Sequence, residues 1–239
     1  MPTYTGLTFA QLKEVANGVV LRDMSDESAL QDLLLGLCVN TALRMIQDSW
    51  DNWRVLETTV TTDDAGSTLQ TTPASREVPL PARYKGGFAL YRLDGNSREP
   101  IPATVGGKPI TMPWIRENHP DPTETSDTPL AACIYGENII LVPTPASAIT
   151  LELDCRCYVA DLAEAGDRNW FTMHLAKVLT DLAAGEAFDV LGEDALAQRW
   201  LEKGRMKLSE RIGSEITELV RRTPLQLGQE PTGRRGLAP

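Results

Sequence analysis

Cys155 and Cys157 are the residues whose type and spacing first suggest chemistry. Two thiols one residue apart could hold a soft metal ion or cycle between dithiol and disulfide. Structural zinc sites, however, draw on Cys-x2–4-Cys pairs, alone or with a His-x3–5-His pair. This chain offers besides only Cys38, Cys133, His119 and His174, with the two histidines far apart. Strand alternation over 149–159 puts Ile149, Leu151, Leu153, Cys155 and Cys157 on one face, and Thr150, Glu152, Asp154 and Arg156 on the other. The thiols thus continue an aliphatic row, where a free cysteine acts as a small hydrophobe. They read as core side chains, not ligands. Residues 130–159 predict a β-meander; if it pairs simply, Cys133 lies close to Cys157 and three thiols would cluster, still short of a fourth ligand.

The other candidates are weaker. Asp63-Asp64 is a loop acid pair that could ligate a hard cation, but such pairs are usually just solvated. Glu186 and Glu193 could pose as paired carboxylates, yet nothing in the sequence gives them the opposed environments that separate acid from base. Gly106-Gly107-Lys108 lies in a Pro-rich stretch rather than between a strand and a helix, so it does not read as a phosphate loop. His174 has apolar neighbours and reads as a packed, hydrogen-bonded side chain. No nucleophile elbow, dinucleotide fingerprint or metalloprotease helix is visible. The expectation is a protein without catalytic residues, metal or cofactor.

Composition narrows the class. The chain has 239 residues and a net charge of −10, from 33 acidic and 23 basic side chains. That balance argues against gripping a phosphate backbone, which needs clustered Lys and Arg. An acidic wall repels DNA, so DNA could slide past it without sticking. Four cysteines make no disulfide framework. No apolar run approaches the ~20 residues of a membrane span, and the opening MPTYTGLTFAQLKEV lacks the layout of a secretory signal. Folding in a cytoplasm is expected.

The elements that must position these residues follow from periodicity. Residues 7–21 predict a helix capped by Thr8. Residues 24–50 predict a second, capped by Ser25, with one stripe of Leu30, Leu34 and Leu37 and another of Leu35, Val39, Ala42, Ile46 and Trp50. Two stripes imply cover on more than one side, and Gly36 allows a neighbour to approach closely. From Trp53 the period becomes that of a strand. Asp94-Gly95-Asn96 is a hairpin signal. The 106–128 segment reads as irregular, with a helical turn at 114–118. Asn169 or Asp167 caps a helix over 170–191, buried through Leu175, Val178, Leu179 and Leu182 and ended by Gly192. Glu193-Asp194 opens the last helix, about 194–220, with Leu196, Trp200, Leu208, Ile212, Ile216 and Leu219 on one side. Pro224 stops it, and the remaining tail is too poor in apolar residues to order itself.

These elements predict an α+β fold. N- and C-terminal helical pairs (1–51 and 165–222) form a four-helix bundle. An antiparallel β-rich domain (52–164) is inserted between them, and a flexible tail (223–239) follows. Pairing the distant helices buries apolar stripes that would otherwise stay wet.

The ordered run resembles the bacteriophage head-to-tail adaptor proteins, of the connector or tail-tubular type, over about residues 8–220. The resemblance is carried by the N-terminal helical pair, then VPLPARYKGGFALYRLDGNSREPI, then YGENIILVPTPASAITLELDCRCYVADL. It closes with NWFTMHLAKVLTDLAAGEAFDVLGEDALAQRWLEKGRMKLSE. The Pro-rich 106–128 segment and the Cys155/Cys157 pair depart from it. The resemblance implies a structural virion protein of the neck, assembled in the host cytoplasm. It would form a ring of about twelve copies below the portal, extend the DNA channel, and dock tail or nozzle proteins without touching membrane. The matching tail, with Arg221, Arg222, Arg234 and Arg235, would bind the portal. Acids of the last helix (Glu202, Glu210, Glu215 and Glu218) would face the lumen. The alternatives are a virion-associated glycan hydrolase and an interaction domain that forms no ring.

Overall fold

In the computed structural model of the chain, the described residues are 6–20, 28–51, 53–62, 66–95, 97–121 and 123–222; the side chains of 28–31 and 218–222 are left aside. Their elements are α1 (Phe9–Val20), α2 (Ser28–Asp48), β1 (Glu57–Val60), β2 (Glu77–Pro79), β3 (Tyr84–Asp94), β4 (Ser97–Ile101), β5 (Thr104–Val105) and β6 (Lys108–Pro109). There follow α3 (Met112–Asn118), β7 (Thr125–Ser126), β8 (Ala131–Tyr135), β9 (Asn138–Val142), β10 (Thr144–Pro145), β11 (Thr150–Cys157), α4 (Trp170–His174), α5 (Ala176–Val190) and α6 (Asp194–Arg222). The fold mixes helices with sheets that are antiparallel except for the short β7–β10 pair, as an α+β reading requires. It divides into two compact units, Met1–Ile46 with Ala163–Pro239, and Gln47–Leu162.

In the helical unit, α1 begins with a reciprocal cap. The Gln11 amide donates to Thr8 Oγ1 (3.2 Å), and the Thr8 amide donates to Gln11 Oε1 (2.9 Å). The next orphan donors reach the far end of the sequence: Phe9 N–H donates to the Asp167 carbonyl (3.0 Å) and Ala10 N–H to that of Ala165 (3.1 Å). Lys13 pairs with Asp32 of α2 at 2.6 Å, and a Cβ on Gly36 would stand 3.3 Å from the Phe9 ring, so the close neighbour is Phe9. Leu35, Val39, Ala42 and Ile46 of α2 are buried. The stripe of Leu30, Leu34 and Leu37 is not covered as expected: Leu34 is half-buried and Leu37 59% exposed, with Leu33 beside them 63% exposed. The Ser25 cap, and Leu30's side chain, lie outside the described set.

The helix expected over 170–191 is two, broken at Leu175, whose φ of −124° and ψ of 21° are not helical. Asn169 is the cap, accepting from Thr172 N–H while Thr172 Oγ1 accepts from Asn169 N–H, both at 3.0 Å. Asp167 instead closes the preceding turn, accepting from the Ala163 and Glu164 amides, which hold its carboxyl below the usual carboxylate range. Leu175, Val178, Leu179 and Leu182 are buried as the periodicity predicts. Gly192, at φ 76°, reverses the chain into α6.

The second unit stacks three layers. A four-stranded sheet of order β1-β11-β3-β4 faces a three-stranded sheet of order β2-β9-β8. Leu90, Ile101, Leu151, Leu153 and Cys155 meet Val78, Ala132, Ile139 and Leu141 in one core. The other face of the three-stranded sheet, with Ala131, Cys133, Ile140 and Val142, packs on Met112 and Ile115 of α3. Covered on both sides, β9 reads as an unbroken apolar run. β11 has one polar face and so belongs to the outer sheet. The simple meander is therefore wrong: β9 pairs with β8 and β2, and β11 crosses over to pair with β3 and β1. The strand expected from Trp53 begins later, because Arg54–Leu56 forms a 3-10 turn that buries Trp53 and Leu56. Gly95 turns the β3–β4 hairpin with φ 59°; Asn96 lies outside the described residues.

Candidate functional site

β11 places the two thiols as its alternation requires. Cys155 is buried against the sandwich core, and Cys157 packs half-buried at its edge. The sulfurs stand 3.6 Å apart. The mutual hydrogen bond and burial push the Cys155 thiol far above its ordinary range, so it is a poor nucleophile and a poor metal ligand. Cys133 faces the α3 side of its sheet, so the three thiols do not cluster. Burial raises its pKa too. Cys38 is pushed up to about 11 by burial, then by the negative charge of Glu186.

The remaining sequence candidates also resolve. Gly106 and Gly107, at φ 58° and 77°, form the tight turn of the β5–β6 hairpin, which explains their type without a phosphate. Glu186 is half-buried, its pKa raised by burial and then by Asp189, while Glu193 is exposed. His174 is exposed and stacks on Trp170 at 4.6 Å rather than packing in the core. Among the described residues no group of three His, Cys, Asp or Glu side chains could hold a metal ion, and no helix is long and apolar enough to cross a membrane. Asp63 and Asp64 fall outside the described residues.

Polar side chains instead brace the scaffold. On the outer face of the four-stranded sheet, Arg98 of β4 lies over the Tyr91 ring of β3 at 3.6 Å. Its Nε reaches Glu152 and its Nη2 reaches Asp154 of β11, each at 2.5 Å. Thr59 of β1 donates to the other Asp154 oxygen at 2.6 Å. One strap so crosses all four strands. The Thr59 hydrogen bond, with Arg98 behind it, lowers the Asp154 pKa.

In the helical unit, α5 and α6 touch through glycine. A Cβ on Gly185 would lie 2.7 Å from Leu201 Cγ, and one on Gly204 would lie 2.6 Å from Leu182 Cδ2. Beside them the buried carboxylate of Asp181 pairs with Lys203 at 3.1 Å and with Lys207. The buried side of α6 is therefore Ala197, Gly204 and Leu208, with Leu201 half-buried. This corrects the expected stripe in part: Leu208 is buried as expected, but Leu196 and Ile216 are exposed and Trp200 and Ile212 half-buried, while the Leu219 side chain lies outside the described residues. Size misled the reading, because the contact selects small residues.

The expected lumen acids divide in the same way. At about 100° per residue, Glu202 and Glu210 stand on the side of α6 opposite Ala197 and Leu208, and both are exposed. Glu215 falls on the buried meridian, is half-buried, and pairs with Arg211 at 2.8 Å. The Glu218 side chain, the side chains of Arg221 and Arg222, and all of Arg234 and Arg235 are outside the described set.

A chain whose buried charge serves bracing, and whose last helix presents a long charged face, has the features of a protein that works through its surfaces. The family model described as SU10 adaptor protein matches residues 7–227, and the chain belongs to that family. It is thus a phage adaptor, a structural head-to-tail protein. No curated protein matches it.

Proposed function

We propose that this adaptor forms a ring beneath the portal, extends the DNA channel, and presents a docking surface to tail or nozzle proteins in the virion neck. The observation that carries the reading is α6, beside membership of the family. It has 29 residues against 15 in α5, so about 20 Å of it outruns its hairpin partner. Its outer side carries Glu202 and Glu210 in an acidic chain. Those two are the best placed to line a channel that DNA crosses without binding, while Glu215 is held by Arg211. Arg221, Arg222, Arg234 and Arg235 supply a basic end suited to an acidic portal surface. The N- and C-terminal helices supply the ring body, and the β-rich domain the docking arm.

Imaging particles that lack the protein tests this. Filled heads that leak or stay tailless are expected, and normal infectious particles overturn it. Sizing the purified chain with and without portal adds the second arm: a ring on portal is expected, and a monomer indifferent to portal argues against it.

A further inference from the structure

We infer that neighbouring copies of this chain join head to tail through two unlike patches at opposite ends of α5, a contact that rests on the ring reading above. Just before α5, on α4, Met173 is 42% exposed, with exposed Arg168 five residues before it and exposed Lys177, at the start of α5, four after. At the other end Val190 and Leu191 are 61% and 41% exposed, beside exposed Asp189, Glu193 and Asp194. Among the described residues none of these five charged side chains is in an ion pair. One patch joins an exposed methionine to two bases in the adjoining sequence, the other two exposed aliphatic residues to three acids, and the 15 residues of α5, about 22 Å of helix, lie between them.

Opposite signs decide the symmetry. A two-fold contact would set acid against acid or base against base, whereas a head-to-tail contact sets each against its complement. Contacts of that kind close into rings when the rotation allows. They also supply local attraction between copies that each carry −10 and otherwise repel.

Full-length chains bearing Met173→Cys and Leu191→Cys, made separately with different tags, are mixed on purified portal and treated with a short bis-maleimide; wild-type chain controls for Cys157. The mixed cross-link is expected at least tenfold above either self cross-link. Lys177→Glu is expected to weaken assembly about tenfold, and Glu193→Lys on the same chain to restore it in part, by re-pairing the swapped signs. Dominant self cross-links overturn the inference. So do rings that form without the mixed cross-link; the ring reading then stands and the contact lies elsewhere, α2 being the next surface to probe. A Met173→Cys thiol shielded from maleimide in the isolated chain overturns it as well. Failure to form rings under any condition removes both readings.

Discussion

α5 and α6 are consecutive helices that solve opposite problems. α5 buries ten of its fifteen residues, including Asp181. α6 has 29 residues, and of its described side chains only Ala197, Gly204 and Leu208 are buried. α5 is held by packing from several directions. α6 is held chiefly against α5, with two glycine contacts and one buried carboxylate between them. The difference teaches where the molecule keeps its stability and where it keeps surface for partners, and substitutions can break the contrast in order of size.

The largest effect falls on the carboxylate. Removing both Lys203 and Lys207 as alanines leaves Asp181 buried and uncompensated, which is expected to cost about 3–5 kcal/mol. Asp181→Ala is expected to cost less, about 1–2 kcal/mol, because the freed lysine side chains, 44% and 27% exposed, can turn into water. Urea unfolding of the two variants checks the asymmetry. Equal losses would mean that the pair, and not the burial of Asp181, matters.

Gly185 comes next. Gly185→Ala forces a methyl against Leu201 Cγ and, at 3.0 Å, its backbone nitrogen, for a cost of about 1–3 kcal/mol. Leu201→Ala in the same chain should recover part of that, since it empties the space the methyl needs. A double-mutant cycle reads the coupling directly, and strict additivity would show that the helices do not meet at this glycine.

These contacts also mark what the sequence could and could not reveal. The thiol face of β11 was legible because a period of two is a local signal, and Thr8, Asn169 and Gly192 act locally as well. The α6 stripe was misread because Ala197 and Gly204 carry no hydrophobic signal; their role exists only opposite Leu182. Asp181 looks like an ordinary surface acid until Lys203 and Lys207 arrive from another helix. The partners of β11 were missed for a related reason. β3 lies some sixty residues back and pairs with β11 through a register no short window contains. Helix identity was readable from spacing, while the choice of neighbour depended on shape complementarity between distant segments.

The second unit offers a milder, pH-dependent contrast. Asp154 has a lowered pKa through Thr59 and then Arg98. A depressed carboxylate contributes stability that is fully present above its ordinary unfolded value near 4. That contribution fades as pH falls through the lower folded value. Asp154→Asn is therefore expected to cost about 1 kcal/mol or less at pH 7, given its partial exposure, and almost nothing at the acid end of that window. Unfolding midpoints of wild type and variant should converge on acidification; a gap that stays constant would show that the strap acts through shape alone.

The smallest expected change in stability is on the outer side of α6, and that is why it is the most informative. Glu202 and Glu210 form no ion pair among the described residues and face away from α5. Replacing both with glutamine should move stability by no more than about 0.5 kcal/mol. If those acids line a DNA channel, the same pair should nonetheless slow genome release, with the defect shrinking as salt screens the field over about 10 Å. Charge reversal to lysine should deepen the defect, because DNA would now be held where it must slide. Unchanged release kinetics across a salt series would remove the lumen assignment while leaving the fold untouched. The outer side of α6 is thus where the proposed conduit role can be tested without confusion from unfolding.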